Sequence, residues 1–226
     1  MPLQILATGE SSAREAQRST SPYTILRSSG PLKIVVSGGG SSGHEMSIAR
    51  RLAHDLGVYY KLDADIVLDT ELALSSPNSI STLVESESGN IVVVGNPSGR
   101  YIRQCLGKEK TAFSITDGQD GSPVLQLRGE TLNDSTQGMI IIYFYHGVVH
   151  YREKSLAGIM FTHPHESSPS STMLFIIAHD GSGLERAARL FPTRTGLALA
   201  DWIVIGKRAD KVGASGIQKA GYEEPF

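Results

Sequence analysis

The stretch that decides the fold runs from residue 33 to residue 56 and reads KIVVSGGGSSGHEMSIARRLAHDL. Its start, Lys33 followed by three aliphatic residues, is typical of a β-strand. Residues 37–43 contain only serine and glycine, which indicates a turn. From His44 onward, apolar residues recur every three or four positions, which predicts an amphipathic helix with one buried face. The residues of this face are Ile48, Ala49, Leu52, Ala53 and Leu56.

The same strand, turn and helix unit recurs along the chain. Nearly continuous aliphatic runs suit strands that are covered on both faces, as in a parallel sheet. Such runs lie at residues 65–68, 90–94, 172–178 and 202–205, and the last of them precedes a glycine-rich tail. Helices are predicted after the second and third of these runs. Their buried residues are predicted to be Tyr101, Ile102, Cys105 and Leu106 in one, and Leu184, Ala187, Ala188 and Phe191 in the other.

Between these units, two Asp-Gly pairs separate the extended runs 111–116 and 123–127. Such pairs indicate a β-hairpin. Strands that alternate with helices predict an α/β protein, because the crossovers place helices on both faces of a sheet. We therefore expect a three-layer sandwich with a mostly parallel, Rossmann- or flavodoxin-like sheet and an inserted β-hairpin.

Three helix starts carry capping signals. Ser42 with Glu45, and Ser182 with Glu185, have the spacing of a capping box, in which the serine hydroxyl accepts a hydrogen bond from a backbone N–H. Asn96 precedes a proline and is the predicted cap of the third helix.

The chain of 226 residues is the length of a single domain. Residues 1–30 are rich in Ser, Thr and Arg, so we expect a disordered tail or linker with no stable element. Residues 31–226 are predicted to form one α/β domain. Within it, residues 139–157 are unusually aromatic, and they are either a genuine β-strand or a gene-model insertion such as a retained intron.

Charge, hydropathy and cysteine content exclude several classes of function. With 21 Lys and Arg against 23 Asp and Glu, the net charge is −2, so we expect neither nucleic acid nor a membrane surface as a partner. The longest apolar run, residues 139–145, is far shorter than the ~20 residues of a spanning helix. A single cysteine, Cys105, can form no intramolecular disulfide. No signal peptide is visible at the N-terminus, and the localisation is left unassigned.

Residues 39–43 satisfy the G-x-S-x-G pattern, which presents a serine nucleophile in α/β-hydrolases. The candidate catalytic residues are Ser41 as nucleophile, His179 or His163 as general base, and Asp180 or Asp201 as the orienting carboxylate. The alternative is a glycine turn whose serines cap a helix. We favour this alternative and assign no catalytic residue, because only some thirty weakly structured residues precede the strand.

The same loop also matches the G-x-G-x-x-G pattern of nucleotide-binding proteins through Gly38, Gly40 and Gly43. In those proteins the loop and the helix start bind phosphate, and an acid about twenty residues later binds ribose. Asp63 has that spacing. An ordinary glycine turn is the alternative, so no cofactor is assigned. The loops at Ser41, Asn96 and Asp180 are all expected at the carboxyl edge of the sheet, where a ligand would bind.

Histidines offer a further candidate site. His163 and His165 would point to one side of an extended segment, and His146 and His150 have helical spacing, so together they could supply nitrogen ligands to zinc. No carboxylate at fixed spacing completes the site. We therefore predict no metal.

Several motifs resemble one protein family. They are RLAHDL at 51–56, KLDADI at 61–66, GNIVVVG at 89–95, HPH at 163–165 and the stretch 180–221. These residues are similar to the C-terminal region of fungal secreted prolyl-oligopeptidase-like α/β-hydrolases, a serine peptidase family. The resemblance covers residues 31–221 apart from the aromatic segment, and it is most specific from 183 through 206 and in the glycine-rich tail 213–221.

The resemblance implies an accessory role. In that family the serine nucleophile and its partners belong to an upstream hydrolase domain, which no segment of this chain matches. We therefore expect a non-catalytic α/β module that packs against or modulates a hydrolase catalytic domain or chain. A stand-alone serine esterase that uses Ser41, and a nucleotide-binding module that uses the loop from Gly38 to Gly43, are the alternatives.

Overall fold

A computed structural model describes residues 22–27, 31–38, 43–70, 89–107, 113–127, 130–132, 140–144, 147–151, 158–164, 171–192 and 200–221. The strands in these ranges are β1 (Leu32–Ser37), β2 (Ala64–Leu68), β3 (Ile91–Gly95), β4 (Phe113–Asp117), β5 (Pro123–Leu127), β6 (Glu130–Thr131), β7 (Ile140–Phe144), β8 (Gly147–Tyr151), β9 (Gly158–Pro164), β10 (Thr172–Ala178), β11 (Trp202–Ile205) and β12 (Ile217–Gly221). The α-helices are α1 (His44–Asp55), α2 (Arg100–Leu106), α3 (Gly181–Ala188) and α4 (Ala209–Val212).

Seven of these strands form one sheet in the order β12-β11-β9-β10-β3-β1-β2. Strand β1 lies between β2 and β3 and is parallel to both, and β3 is parallel to β10. Strand β9 is antiparallel to β10 and to β11, and β12 is antiparallel to β11. Five strands therefore run in one direction against β9 and β12, which confirms the predicted mostly parallel sheet.

The two faces of the sheet are buried by different elements. Successive side chains of a strand point to opposite faces. One set packs under α1 and α3 and includes Ile34, Val36, Val92, Val94, Leu174 and Ile176. The other set packs under α2 and the β4–β5 hairpin and includes Val35, Ile91, Val93 and Phe175. The three-layer architecture is therefore confirmed.

The inserted hairpin is also confirmed, since β4 pairs antiparallel with β5. It is anchored to the sheet by aromatic stacking. The ring of Phe113 stacks on Phe161 at a centroid distance of 3.9 Å, and Phe161 stacks on Phe175 at 5.0 Å. The hairpin thus covers the part of this face that α2 leaves open.

The predicted helix caps are wrong in position. Helix α1 has Gly43 at its N-cap, without a side-chain bond, and α2 has Gly99. Asp180 caps α3 by accepting a hydrogen bond from the Gly183 amide at 2.7 Å. The Asn96 carboxamide instead accepts from the Ser98 amide at 3.0 Å, which closes a local turn before α2 begins.

Part of the expected N-terminal tail is structured. Residues Pro22–Arg27 form a 3₁₀ helix, and Ile25 is fully buried in the core under α1. The amide of Asn90 donates to the carbonyl oxygens of Thr24 and Ile25 at 3.1 and 3.2 Å. The expectation of no stable element is wrong for these six residues, because a buried side chain and a distant asparagine stabilise them. The rest of 1–30, apart from these six, lies outside the described residues.

Two further segments differ from expectation. Trp202–Ile205 is not the last strand, because β12 follows it and pairs with it. In the aromatic segment, β7 and β8 pair with each other in a two-stranded sheet. His150 therefore lies in a strand and not in a helix, and His146 lies outside the described residues. The possible insertion at residues 139–157 stays a prediction.

We expect Asn90→Ala to lower the free energy of unfolding by about 2 kcal/mol, measured by urea denaturation. Asn90 is buried, and its side chain also accepts from the Thr172 amide at 2.9 Å, so truncation removes three hydrogen bonds. Asn96→Ala is the matched control. Its effect should be smaller, because Asn96 is only half-buried and water can replace its partners. Equal losses in the two variants would contradict this account.

Candidate functional site

The carboxyl edge of the sheet collects the loops that the sequence singled out. Strands β1, β3 and β10 are mutually parallel, so the residues that follow them lie at one edge. These residues are Gly38, Asn96 and Asp180. The expected position is confirmed for Asn96 and Asp180, and Ser41 lies outside the described residues.

A topological switch point occurs between β1 and β3. The helix after β1 covers one face and the helix after β3 covers the other, so the two loops diverge. In open α/β sheets, ligands bind in the crevice at such a point. In this protein, side chains of the chain itself fill the bottom of this crevice. The Ser37 hydroxyl donates to Asp69 Oδ2 at 2.7 Å and accepts from the Ile102 amide of α2 at 3.4 Å.

The loops on either side of this crevice contact each other directly. Gly38 has a φ of 84°, in the left-handed region, and its amide donates to Asp69 Oδ2 at 3.3 Å. The side-chain amide of Asn96 donates to the Gly38 carbonyl at 3.1 Å. A Cβ at position 38 would overlap the Asn96 carboxamide. The space immediately between β1 and β3 is therefore filled by these side chains.

An open cavity lies beside this crevice, between the first turns of α1 and α3. Its volume is about 420 Å³, and its lining residues are Gly43, His44, Ser47, Ile48, Gly181, Ser182 and Glu185. Helices α1 and α3 meet at Gly181, where a Cβ would overlap the His44 ring. The cavity is within the volume range of small-molecule sites.

The charges around this cavity are unequally distributed. The first turn of α1 has no side-chain cap, so its free N–H groups and the positive end of its dipole lie at the cavity, whereas in α3 the Gly183 amide is already bonded to the Asp180 carboxylate. At the far end, both oxygens of Glu185 accept from Arg51 Nη1, at 2.7 and 2.9 Å, and Oε1 also accepts from Arg189 Nε at 3.3 Å. These guanidinium contacts, chiefly the bond from Arg51, lower the pKa of Glu185 against the opposing effect of burial. The cavity thus has a positive end and a negative end.

Of the candidate hydrolase residues, the structure describes two histidines and two aspartates, whereas Ser41 lies outside the described residues. The Asp180 carboxylate is bonded to the Gly183 amide of its own helix. His179 is exposed at the end of β10, two strand spacings from β1, or about 10 Å. His163 pairs with Met173 near the start of β10, and Asp201 precedes β11, so both lie at the opposite edge of the sheet.

The candidate nucleotide-binding residues are only partly brought together. Gly38 and Gly43 flank the loop, and Gly40 lies outside the described residues. Asp63 is exposed and precedes β2, whose first residue Ala64 pairs with Leu32 at the start of β1. It is therefore separated from the loop by the length of a strand.

The acid that does reach the loop is Asp69, which sequence reasoning missed. It follows β2 directly, is 3% exposed and bonds to Gly38. The sequence contained a signal that could have identified Asp69. A ribose-binding acid has to follow the second strand, and the predicted strand 65–68 ends one residue before Asp69.

Metal and membrane sites find no support in the described part of the chain. His146 and His165 lie outside it. Among the described residues, no three or more His, Cys, Asp or Glu side chains cluster in a way that could hold a metal ion. No helix within those ranges is both long enough and apolar enough to cross a membrane.

Comparison with known proteins gives no family for this chain. No protein-family model matches it, and no curated protein matches it. The resemblance to fungal prolyl-oligopeptidase-like proteins therefore stays a prediction from the motifs.

The Glu185 ion pair predicts a pH-dependent contribution to stability. Because its pKa is lower in the folded chain, the stabilisation is present above the unfolded value of about 4.3 and is lost as the pH falls through the folded value. We expect the parent chain to exceed Glu185→Gln in unfolding free energy by about 0.5–1 kcal/mol near neutral pH, since the pair is partly exposed. Urea denaturation from about pH 7 to about pH 3 measures this difference. A difference that does not shrink in acid would contradict the ion pair.

Proposed function

We propose that this chain is a binding module for a small phosphorylated molecule of the nucleotide class and is not a hydrolase on its own. The observation that carries this proposal is the cavity between the first turns of α1 and α3, at the edge of the sheet where α/β proteins bind ligands. The cavity is large enough for a nucleoside monophosphate or for one half of a dinucleotide.

The chemistry of the lining residues favours an anion at the N-termini of α1 and α3, at one end of this cavity. Backbone N–H groups at helix starts bind phosphate without a basic side chain. The described lining residues include no lysine or arginine. Hydroxyl groups of Ser47 and Ser182 and the imidazole of His44 add side-chain donors there. Phosphate is the anion that such a set of neutral donors suits best.

The accessory role implied by the resemblance fits this proposal. A module that binds a small ligand can modulate a hydrolase domain to which it is joined or docked. The hydrolase alternative is not favoured, because its candidate carboxylate Asp180 accepts from the Gly183 amide and caps α3.

Ligand binding should raise the melting temperature. With AMP or NAD at millimolar concentration, the stabilisation is RT ln(1 + [L]/Kd), measured by differential scanning fluorimetry. Ser182→Asp should reduce this shift, because it places a carboxylate in the cavity. The same change should not lower the melting temperature without ligand, because an acidic residue in the first turn of a helix is favourable.

Ser215→Asp is the matched control. Ser215 is exposed in the 3₁₀ turn Gly213–Gly216, away from the lining residues, so its variant should keep the full ligand-induced shift. If neither AMP nor NAD shifts the melting temperature of the parent chain, the proposed function is wrong.

Hydrolase activity is tested separately. The purified chain should not hydrolyse short acyl p-nitrophenyl esters or proline-linked chromogenic peptides faster than its Ser41→Ala variant. A fluorophosphonate probe should not label Ser41. Turnover that depends on Ser41 would reinstate the serine esterase.

A further inference from the structure

We infer that Glu185 recognises the hydroxyl groups of a sugar joined to the bound phosphate, so that the ligand class is a pentose phosphate such as the ribose phosphate half of a nucleotide. This inference rests on the proposed function. It concerns the negative end of the cavity, at Glu185. The proposed function rests on the opposite end, which the N-termini of α1 and α3 form.

The hydrogen bonds of Glu185 leave one acceptor site of its carboxylate unused. Each carboxylate oxygen has two lone-pair sites. Oε1 accepts from Arg51 Nη1 and from Arg189 Nε, and Oε2 accepts from Arg51 Nη1. These three bonds use both sites of Oε1 and one site of Oε2. Because Glu185 lines the cavity, the second site of Oε2 can accept from a ligand hydroxyl.

The charge of Glu185 also fixes the orientation of the ligand. A carboxylate is ionised near neutral pH, and a charged acceptor binds a hydroxyl about twice as strongly as a neutral one. The same negative charge disfavours a phosphate at this end of the cavity. The phosphate therefore lies at the helix starts and the hydroxyl groups lie at Glu185.

The separation of the two ends suits a pentose phosphate. Glu185 is four residues, or about one turn, beyond Gly181, which is about 6 Å along α3. The distance from the phosphate to the ring hydroxyls of a ribose 5-phosphate unit is similar. Inorganic phosphate would leave Glu185 without a ligand partner.

The test compares AMP with 2′,3′-dideoxy-AMP, which lacks both ribose hydroxyl groups. Isothermal titration calorimetry should show that the parent chain binds AMP about tenfold more tightly, a difference of about 1.4 kcal/mol. In Glu185→Ala the two ligands should bind equally, because the acceptor is gone.

The Arg51→Ala variant distinguishes recognition of the ligand by Glu185 from a structural role of its ion pair. Like Glu185→Ala, it breaks the ion pair between α1 and α3, but it keeps the carboxylate. Arg51 does not line the cavity. We expect this variant to keep the preference for AMP, even if its melting temperature falls.

The outcomes distinguish the two proposals. If the parent chain binds neither ligand, the proposed function fails. If it binds both with equal affinity, the proposed function stands and the role of Glu185 is wrong. If Glu185→Ala keeps the preference, or if Arg51→Ala loses it as completely as Glu185→Ala does, Glu185 has only a structural role and the inference is overturned.

Discussion

The position of β1 is the constraint on which the rest of the structure depends. It is hydrogen-bonded on both sides to parallel strands, and Ile34, Val35 and Val36 are fully buried on alternating faces. A strand buried in this way needs cover above and below the sheet, which requires helical crossovers. The crossovers in turn bring the loops after β1, β3 and β10 to one edge.

The cavity follows from how these crossovers are divided between the two faces. Helix α2, which follows β3, packs on the face opposite α1 and α3. Helices α1 and α3 are therefore neighbours above β3, although the strands that precede them, β1 and β10, are not adjacent in the sheet. The Arg51 to Glu185 pair joins them across 134 positions of the chain, and Gly181 lets the His44 ring approach α3 closely. A space remains between their first turns.

Much of this fold could be predicted because its strands are continuous apolar runs. Thr172–Ala178 and Trp202–Ile205 have the predicted bounds, and every predicted inward residue of α2 is buried. The strand β12 was missed because IQKAG shows no apolar run, and as an edge strand it needs none. The 3₁₀ helix Pro22–Arg27 was missed because its stability comes from Asn90, which is distant in sequence.

The site was less predictable for two physical reasons. Spacing rules do not distinguish residues that can play the same role. They predicted Ser182 where Asp180 is the cap of α3, and Asp63 where Asp69 is the acid that reaches the loop. The cavity itself depends on the contact between α1 and α3, for which no local pattern exists. The places of Asn96 and Asp180 at the carboxyl edge were predictable, but the lining residues of α3 were not.

The central claim is that a phosphorylated ligand binds between the first turns of α1 and α3. Titration of the ¹⁵N-labelled chain with AMP, followed by two-dimensional NMR, tests it most directly. The account predicts that the largest amide shifts occur at His44, Ser47 and Ser182, around the cavity, while amides of β12 are unchanged. Shifts confined to another surface, or no shifts at millimolar AMP, would contradict it.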